Sequence, residues 1–268
     1  MRSYSLAYLS AAALTPPQVV AVAAQAGYQF VGLRLLPSMA GGASQPLLTD
    51  AALMRETQAS LRDTGVGVMD LEVLRVGPAF DPGACRPFFE AGAALGARAV
   101  LAIGEDPDES RLADTFGRLC ATAAPFGLSV DLEFLPWTTV PDARAALRVL
   151  QRAGLPPNGG VLVDALHAAR SSTTLDDIGA LPTAHLHYAQ ICDAPLGGPF
   201  TLEELLHTAR QERLLPGEGG IDLRRLFARL PPELPLSVEI PHHLRLPQLG
   251  ELAWARQALA ASRAVLGA

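Results

Sequence analysis

The stretch from Ser129 to Asp164, SVDLEFLPWTTVPDARAALRVLQRAGLPPNGGVLVD, contains one complete unit of the fold. It opens with an apolar run, Ser129 to Phe134, passes through an alanine- and leucine-rich helical segment that stops at Gly154, and ends in a second apolar run, Val161 to Asp164. A glycine just past a helix accepts the left-handed conformation that closes it, and a short β-branched run a few residues later reads as a strand. The predicted unit is strand, helix, strand, with carboxylates Glu133 and Asp164 near the ends of the two strands.

Outward from this unit the pattern repeats. Gly27, Gly65, Gly96 and Gly127 also close helical segments and precede apolar runs. The predicted strands are Tyr4 to Leu9, Phe30 to Leu36, Val66 to Val73, Ala99 to Ile103, Ser129 to Phe134, Val161 to Asp164, His185 to Ile191 and Leu236 to Ile240. Strands that alternate with helices form a parallel sheet. Eight such units in 268 residues favour a closed (β/α)8 TIM barrel, α/β in class, over an open sheet. No GxGxxG fingerprint follows the first strand. The expectation is a single domain over 1–268, with Pro37–Pro46, Pro195–Pro199 and Pro216–Gly220 as long loops on the face where such barrels carry their sites.

Composition narrows the chemistry. All 21 basic residues are arginine, which excludes Schiff-base aldolases, pyridoxal phosphate enzymes and Walker-type phosphate loops, since each needs a lysine nitrogen. The net charge of -6 gives no basic face for nucleic acid. No apolar run reaches the roughly 18 residues of a membrane span. Arg2 with the apolar Leu6–Leu14 stretch imitates a signal peptide weakly and reads better as the first strand. Cys85, Cys120 and Cys192 are odd in number and widely spaced, which suits free thiols in the cytoplasm. The predicted partner is a small molecule. The outer helical faces leave homo-oligomerisation open.

Four successive strands end in acceptor side chains: Glu133, Asp164, Gln190 and Glu239. Side chains alternate along a strand, so these can point into the barrel while Leu132, Val163 and Val238 face the helices. One acidic strand end is more often a helix cap or a solvated rim charge. Four on one rim are not explained that way, because three clustered carboxylates repel one another unless a cation neutralises them. Hard oxygen ligands favour one divalent ion, Mn2+ first, with Mg2+ or Co2+ next. By the same alternation His185 and His187 are out of step with Gln190 and are expected to face the helices.

These residues carry a resemblance. VDLEF around Glu133, VDALH with Asp164 and His167, YAQICD around Gln190, RLLPGEGGIDL from Arg213 and SVEIP around Glu239 together resemble the sugar phosphate isomerase/epimerase group of xylose isomerase-like barrels, across almost the whole chain. The resemblance implies a metal held by Glu133, Asp164, Gln190 and Glu239. It also implies that Glu133 and Glu239 are catalytic, one removing a proton beside a polarised carbonyl and the other able to return it. Gln190 stands where many members have histidine, and the glutamine variant resembles hydroxypyruvate isomerases. His167 matches a substrate-contacting histidine, against the plainer reading of a histidine at a helix start. Arg34, Glu72, Arg213 and Glu218, with Arg75, are further substrate-site candidates. Arg34 either marks an anionic substrate or pairs with Glu72. Trp137 either walls the pocket or only packs there, and Cys192 reads as a buried thiol.

The function implied is a metal-dependent isomerase or epimerase of a small polyhydroxy ketone, aldehyde or keto acid, working through an enediolate. The alternative is a lyase, a dehydratase or eliminase of a keto-sugar or oxidised glycoside, that starts from the same proton abstraction. A DNA repair endonuclease, which shares the wider superfamily, conflicts with the acidic balance and the single oxygen-rich site. A non-catalytic sugar binder would not need both glutamates.

Overall fold

The computed structural model describes residues 2–38 and 42–267, so 39–41 of the predicted Pro37–Pro46 loop lie outside the described residues. Strands β1 (Tyr4–Leu6), β2 (Phe30–Arg34), β3 (Gly67–Val76), β4 (Ala99–Gly104), β5 (Ser129–Glu133), β6 (Gly159–Asp164), β7 (Ala189–Ile191) and β8 (Leu236–Val238) close in chain order into a parallel barrel, with β8 pairing back onto β1. Around it run α1 (Pro16–Ala26), α2 (Ala51–Thr64), α3 (Arg86–Ala94), α4 (Glu109–Ala123), α5 (Ala143–Arg152), α6 (Ala165–Arg170), α7 (Leu175–Gly179), α8 (Leu202–Gln211), α9 (Leu223–Phe227), α10 (Arg245–Leu249) and α11 (Glu251–Leu266). None of the described helices is long and apolar enough to cross a membrane.

Local chemistry accounts for these elements. Thr15 and Gln18 form a capping box with prolines in the first turn of α1, and Asp142 accepts the Ala145 amide to start α5. The five glycines read as helix stops, Gly27, Gly65, Gly96, Gly127 and Gly154, all have positive φ. Strand alternation then sorts the core. Leu6, Val31, Leu132, Val163 and Val238 face the helices in the main apolar cluster, while Met69, Leu101, Ile103, Leu162 and Tyr188 fill the barrel interior.

Five strands, β1, β2, β5, β7 and β8, are shorter than predicted, and one of these changes a reading. β1 gives way to a 3-10 turn at Tyr8–Ala11, and β7 starts only at Ala189, after a 3-10 turn at Thr183–His185. Alternation counted back from Gln190 therefore does not reach His187. Its Nδ1 lies 2.7 Å from Oδ1 of Asp131, an inward-facing and fully buried carboxylate that also accepts from Ser129 Oγ at 2.7 Å. Gly160 makes room for the pair, because a Cβ there would stand 2.1 Å from Asp131 Oδ1. His185 likewise turns to a backbone oxygen, that of Gly159 at 2.7 Å.

Burial works against the charged form of His187, but the hydrogen bond and charge of Asp131 prevail and raise its pKa. A histidine with a raised folded-state pKa contributes stability that is full below its unfolded value and is lost as pH rises through the folded one. His187→Ala is expected to cost about 1–3 kcal/mol by leaving Asp131 short of a partner, with the larger deficit at pH 6 than at pH 9. Urea unfolding at the two pH values measures it. Equal midpoints for variant and wild type at both would show that the pair does not stabilise the barrel.

Candidate active site

The strand ends bring the acidic rim together. Asp164 and Gln190 are register partners across β6 and β7, and the Glu239 amide bonds the carbonyl of Ile191 at 3.2 Å. Glu72, Glu133, Glu239, His167, Arg34 and Arg213 line one cavity of about 280 Å3 at the C-terminal mouth of the barrel. A larger groove of about 1140 Å3 opens at the opposite end beside Tyr4 and Phe227. It gathers no comparable set of buried carboxylates, and barrels of this kind work at the C-terminal face, so the mouth is the candidate site.

Arg213 organises this cavity. One guanidinium nitrogen donates to Asp164 Oδ2 at 2.6 Å, another approaches Glu239 Oε2 at 2.7 Å, and Nε donates to the Ala209 carbonyl at 2.9 Å. It is buried to 2% exposure, held by a backbone clamp. The Arg213 amide bonds Pro241 O at 3.0 Å and the Leu214 amide bonds Asp193 O at 2.8 Å, which pins the segment between the chains leaving β7 and β8. The glycine-rich loop that follows wraps the buried Asp193, whose carboxylate accepts the amides of Gly217 at 2.9 Å and Ile221 at 3.1 Å. The RLLPGEGGIDL motif is therefore a scaffold that delivers Arg213.

Charge crowding sets the protonation of the rim. Burial, then repulsion from Asp164 and Glu239, holds the Glu133 carboxyl well above the usual range despite Arg213. Burial pushes Glu239 up to about 8, although Arg213 opposes the shift. Asp164 goes the other way: burial resists ionisation, but Arg213 and the His167 backbone amide, which Oδ1 accepts at 3.0 Å, keep it below the usual range. The same bond makes Asp164 the cap of α6 and fixes His167. Burial lowers the His167 pKa to about 4, so its imidazole is neutral, with Nε2 3.7 Å from Glu133 Oε1 and its ring edge-on to Trp137 at 5.2 Å between centroids.

The predicted residues divide clearly. Glu133, Asp164 and His167 each present an atom within 4.8 Å of the others, a grouping that can hold an ion. Glu239 stands outside that group, on Arg213. Gln190 is fully buried with neither amide atom hydrogen-bonded among the described residues, so its oxygen is available as a ligand. Hard donors, crowded carboxylates and this unpartnered amide all fit a divalent cation. Arg34 donates to Glu72 Oε2 at 2.7 Å, which realises the pairing anticipated as one of its two readings. Trp137 lines the cavity and also packs on the core. Glu218 does not join the site: it bonds Arg245 at 3.1 Å and is not among the cavity's lining residues. Burial pushes the Cys192 thiol up to about 12, so it is inert.

Two residues of this region went unread in the sequence. Asp70, two positions before Glu72 and so on the same inward face, is fully buried with neither oxygen partnered among the described residues. Gly32 leaves space for it, since a Cβ there would lie 3.1 Å from its Oδ1. Strand alternation could have found it. Arg210 also lines the cavity, in the last turn of α8 and three residues before Arg213.

Comparisons with known proteins agree with this architecture. A model of the xylose isomerase-like TIM barrel family matches residues 20–265. A 3-dehydroshikimate dehydratase of Pseudomonas aeruginosa is 30% identical over 130 residues, 48% of this chain and 19% of that protein, so the chain spans only a small part of that relative's length. A solved fusion of a xylose isomerase-like TIM barrel with a 4-hydroxyphenylpyruvate dioxygenase superposes with a TM-score of 0.81 at 22% identity, covering 97% of this chain and 42% of the fusion. A probable 3-dehydroshikimate dehydratase of Bacillus anthracis gives 0.75 at 15% identity, over 97% of this chain and 99% of that one. At these identities the solved structures show the fold alone.

Proposed function

We propose, for a chain that belongs to the xylose isomerase-like TIM barrel family, that it is a divalent-metal-dependent lyase that removes water from a β-hydroxy keto acid, with 3-dehydroshikimate as the substrate to try first. The observation that carries this reading is the asymmetry of the two glutamates. Glu239 is occupied by Arg213, whereas Glu133 faces the cavity beside a neutral imidazole and has no hydrogen-bond donor among the described residues. One free carboxylate suits elimination on a single face. Epimerisation uses a proton acceptor on one face and a donor on the other. The dehydratase similarity over 130 residues points the same way.

Glu133 and Asp164, with His167 beside them and the unpartnered Gln190 amide, are the side chains that would hold the ion, Mn2+ before Mg2+ or Co2+, while Glu239 of the four ligands implied by the sequence stands on Arg213. Such an ion, when bound, supplies Lewis acidity to a substrate carbonyl and the positive charge that lets Glu133 ionise near neutral pH. Glu133 then takes the proton from the carbon beside the carbonyl. As the double bond forms, the C–O bond to the β-hydroxyl breaks, and Glu133 returns its proton to that oxygen, releasing water and regenerating the carboxylate. Neutral His167 supports Glu133 from 3.7 Å, and Trp137 shields the pair from bulk water. The three buried free cysteines suit the cytoplasmic location anticipated from the sequence.

An isomerase or epimerase of a small ketose is the second reading, favoured by both glutamates lining one cavity. One experiment separates them. Purified protein loaded with Mn2+ is given 3-dehydroshikimate, and a parallel ketose panel in deuterated water, with metal content measured by mass spectrometry. The expected result is one ion per chain and chelator-sensitive formation of 3,4-dihydroxybenzoate with release of water. Deuterium entering a ketose without any dehydration would move the assignment to isomerase. Neither reaction in the metal-loaded protein would overturn both readings.

A further inference from the structure

The four arginines lining the mouth cavity are unequally partnered. Arg34 is paired with Glu72, Arg75 with Glu105, and Arg213 with Asp164 and Glu239. The Arg210 side chain has neither a hydrogen bond nor an ion pair among the described residues. It projects from α8, a helix inserted between β7 and the barrel helix α9, and the Arg213 anchor one turn later fixes α8 over the cavity. We infer that the mouth of the barrel takes a substrate bearing a carboxylate, and that Arg210 is the residue that binds this carboxylate and so determines specificity, with Arg75 beside it.

Charge and geometry support the assignment independently of the chemistry below. Partial burial, then repulsion from Arg75 and Arg34, lowers the Arg210 pKa, which places its guanidinium close to two others of like sign. Like charges converging at a cavity mouth are unfavourable in the free protein and become favourable when an anion arrives. The guanidinium is the side chain best matched to a carboxylate, because its planar fork donates two parallel hydrogen bonds. The deeper arginines are already held by protein carboxylates and have other tasks. A carboxylate at Arg210 leaves the remainder of the substrate directed down toward Glu133, which lines the same cavity.

The inference rests on the keto-acid reading above for its choice of probe, and binding separates the two. Shikimate keeps the ring and the carboxylate but lacks the ketone that makes a neighbouring proton acidic, so it binds without dehydration. Its dissociation constant, and that of its methyl ester, are measured by calorimetry for wild type, Arg210→Lys and Arg210→Gln. Wild type is expected to prefer shikimate to the ester. Arg210→Gln should bind shikimate about tenfold or more weakly, with unchanged affinity for the ester and an unchanged unfolding midpoint. Arg210→Lys should fall between, because it keeps the charge and loses the fork. Equal shikimate binding by wild type and Arg210→Gln, or no preference of wild type for shikimate over the ester, overturns the inference. Discrimination at Arg210 in a protein that does not dehydrate 3-dehydroshikimate would leave this subsite standing and remove only the reaction assigned above.

Discussion

Replacing Glu133 by Gln is expected to lower turnover by about 10²- to 10⁴-fold, the usual worth of a positioned general base, while the metal-free protein becomes no less stable. The two halves of this expectation have one cause. Glu133 is buried among Asp164 and Glu239, and its carboxyl is held well above the usual range by burial and by their charge. A group arranged in this way costs stability whenever it ionises. Glutamine keeps the shape and removes the charge, so the repulsion goes and the reaction goes with it. Stability gained at the expense of activity is a recurrent property of active-site carboxylates. Thermal unfolding with chelator present and turnover of 3-dehydroshikimate with Mn2+ present would measure the two effects, and metal content of the variant would show whether lost binding contributes. A variant that unfolds well below wild type would overturn the repulsion account, and one that keeps more than a tenth of its activity would remove Glu133 from the role of base.

Much of this site was legible because the relevant signals are local. Glu133, Asp164 and Glu239 stand at or just beyond a strand end and Gln190 one residue before one, and strand alternation alone sends them inward. The glycines that stop the helices need only their own φ, so the βα rhythm could be read without tertiary knowledge. What was not legible depends on partners far along the chain. Glu218 looked like a site residue from its place in a glycine-rich loop, but it bonds Arg245, 27 positions later on the connection after β8. The Arg213 motif was visible, yet that its guanidinium would bridge Asp164 and Glu239 depends on a clamp formed by Asp193 and Pro241. His187 misled because alternation holds only on the ladder, and β7 is three residues long.

Arg210 was missed for a related reason. The segment after Pro195–Pro199 offered no strand, so its residues were not set against a cavity, and α8 was not anticipated as an inserted helix over the mouth. A long connection after β7 that carries its own helix is where this fold can vary without disturbing the barrel. On the function and subsite proposed above, catalytic carboxylates at strand ends and a specificity residue on an added helix would divide the work in the way the architecture allows. The strands would hold the reacting groups, and the loop would choose what reaches them.

Arg213→Met has the largest expected effect on stability. Breaking a buried ion pair by removing one partner leaves a charge without compensation and costs about 3–5 kcal/mol, which for a chain of this size lowers the melting temperature by roughly 10 °C. Here one guanidinium serves two carboxylates and a backbone carbonyl, and Asp164 also caps α6, so it cannot turn away from the cavity to find water. The sign of the pH dependence follows from Asp164. Its pKa is lowered in the folded protein, where burial is outweighed by Arg213, so the stability it contributes is present above the ordinary carboxylate range and lost as pH falls through the folded value. The gap between wild type and variant should be full near pH 7 and should close on acidification below about pH 4, where Asp164 is protonated in the unfolded chain. Adding Asp164→Asn to the variant should recover part of the loss, because asparagine can still accept the His167 amide while removing the stranded charge. Urea unfolding of wild type, both single variants and the double variant at pH 7 gives the coupling energy. Strict additivity would mean that Arg213 does not stabilise the fold through Asp164. A coupling of a few kcal/mol would identify the cation that this barrel carries in its own sequence: an arginine that keeps Asp164 charged and aligned.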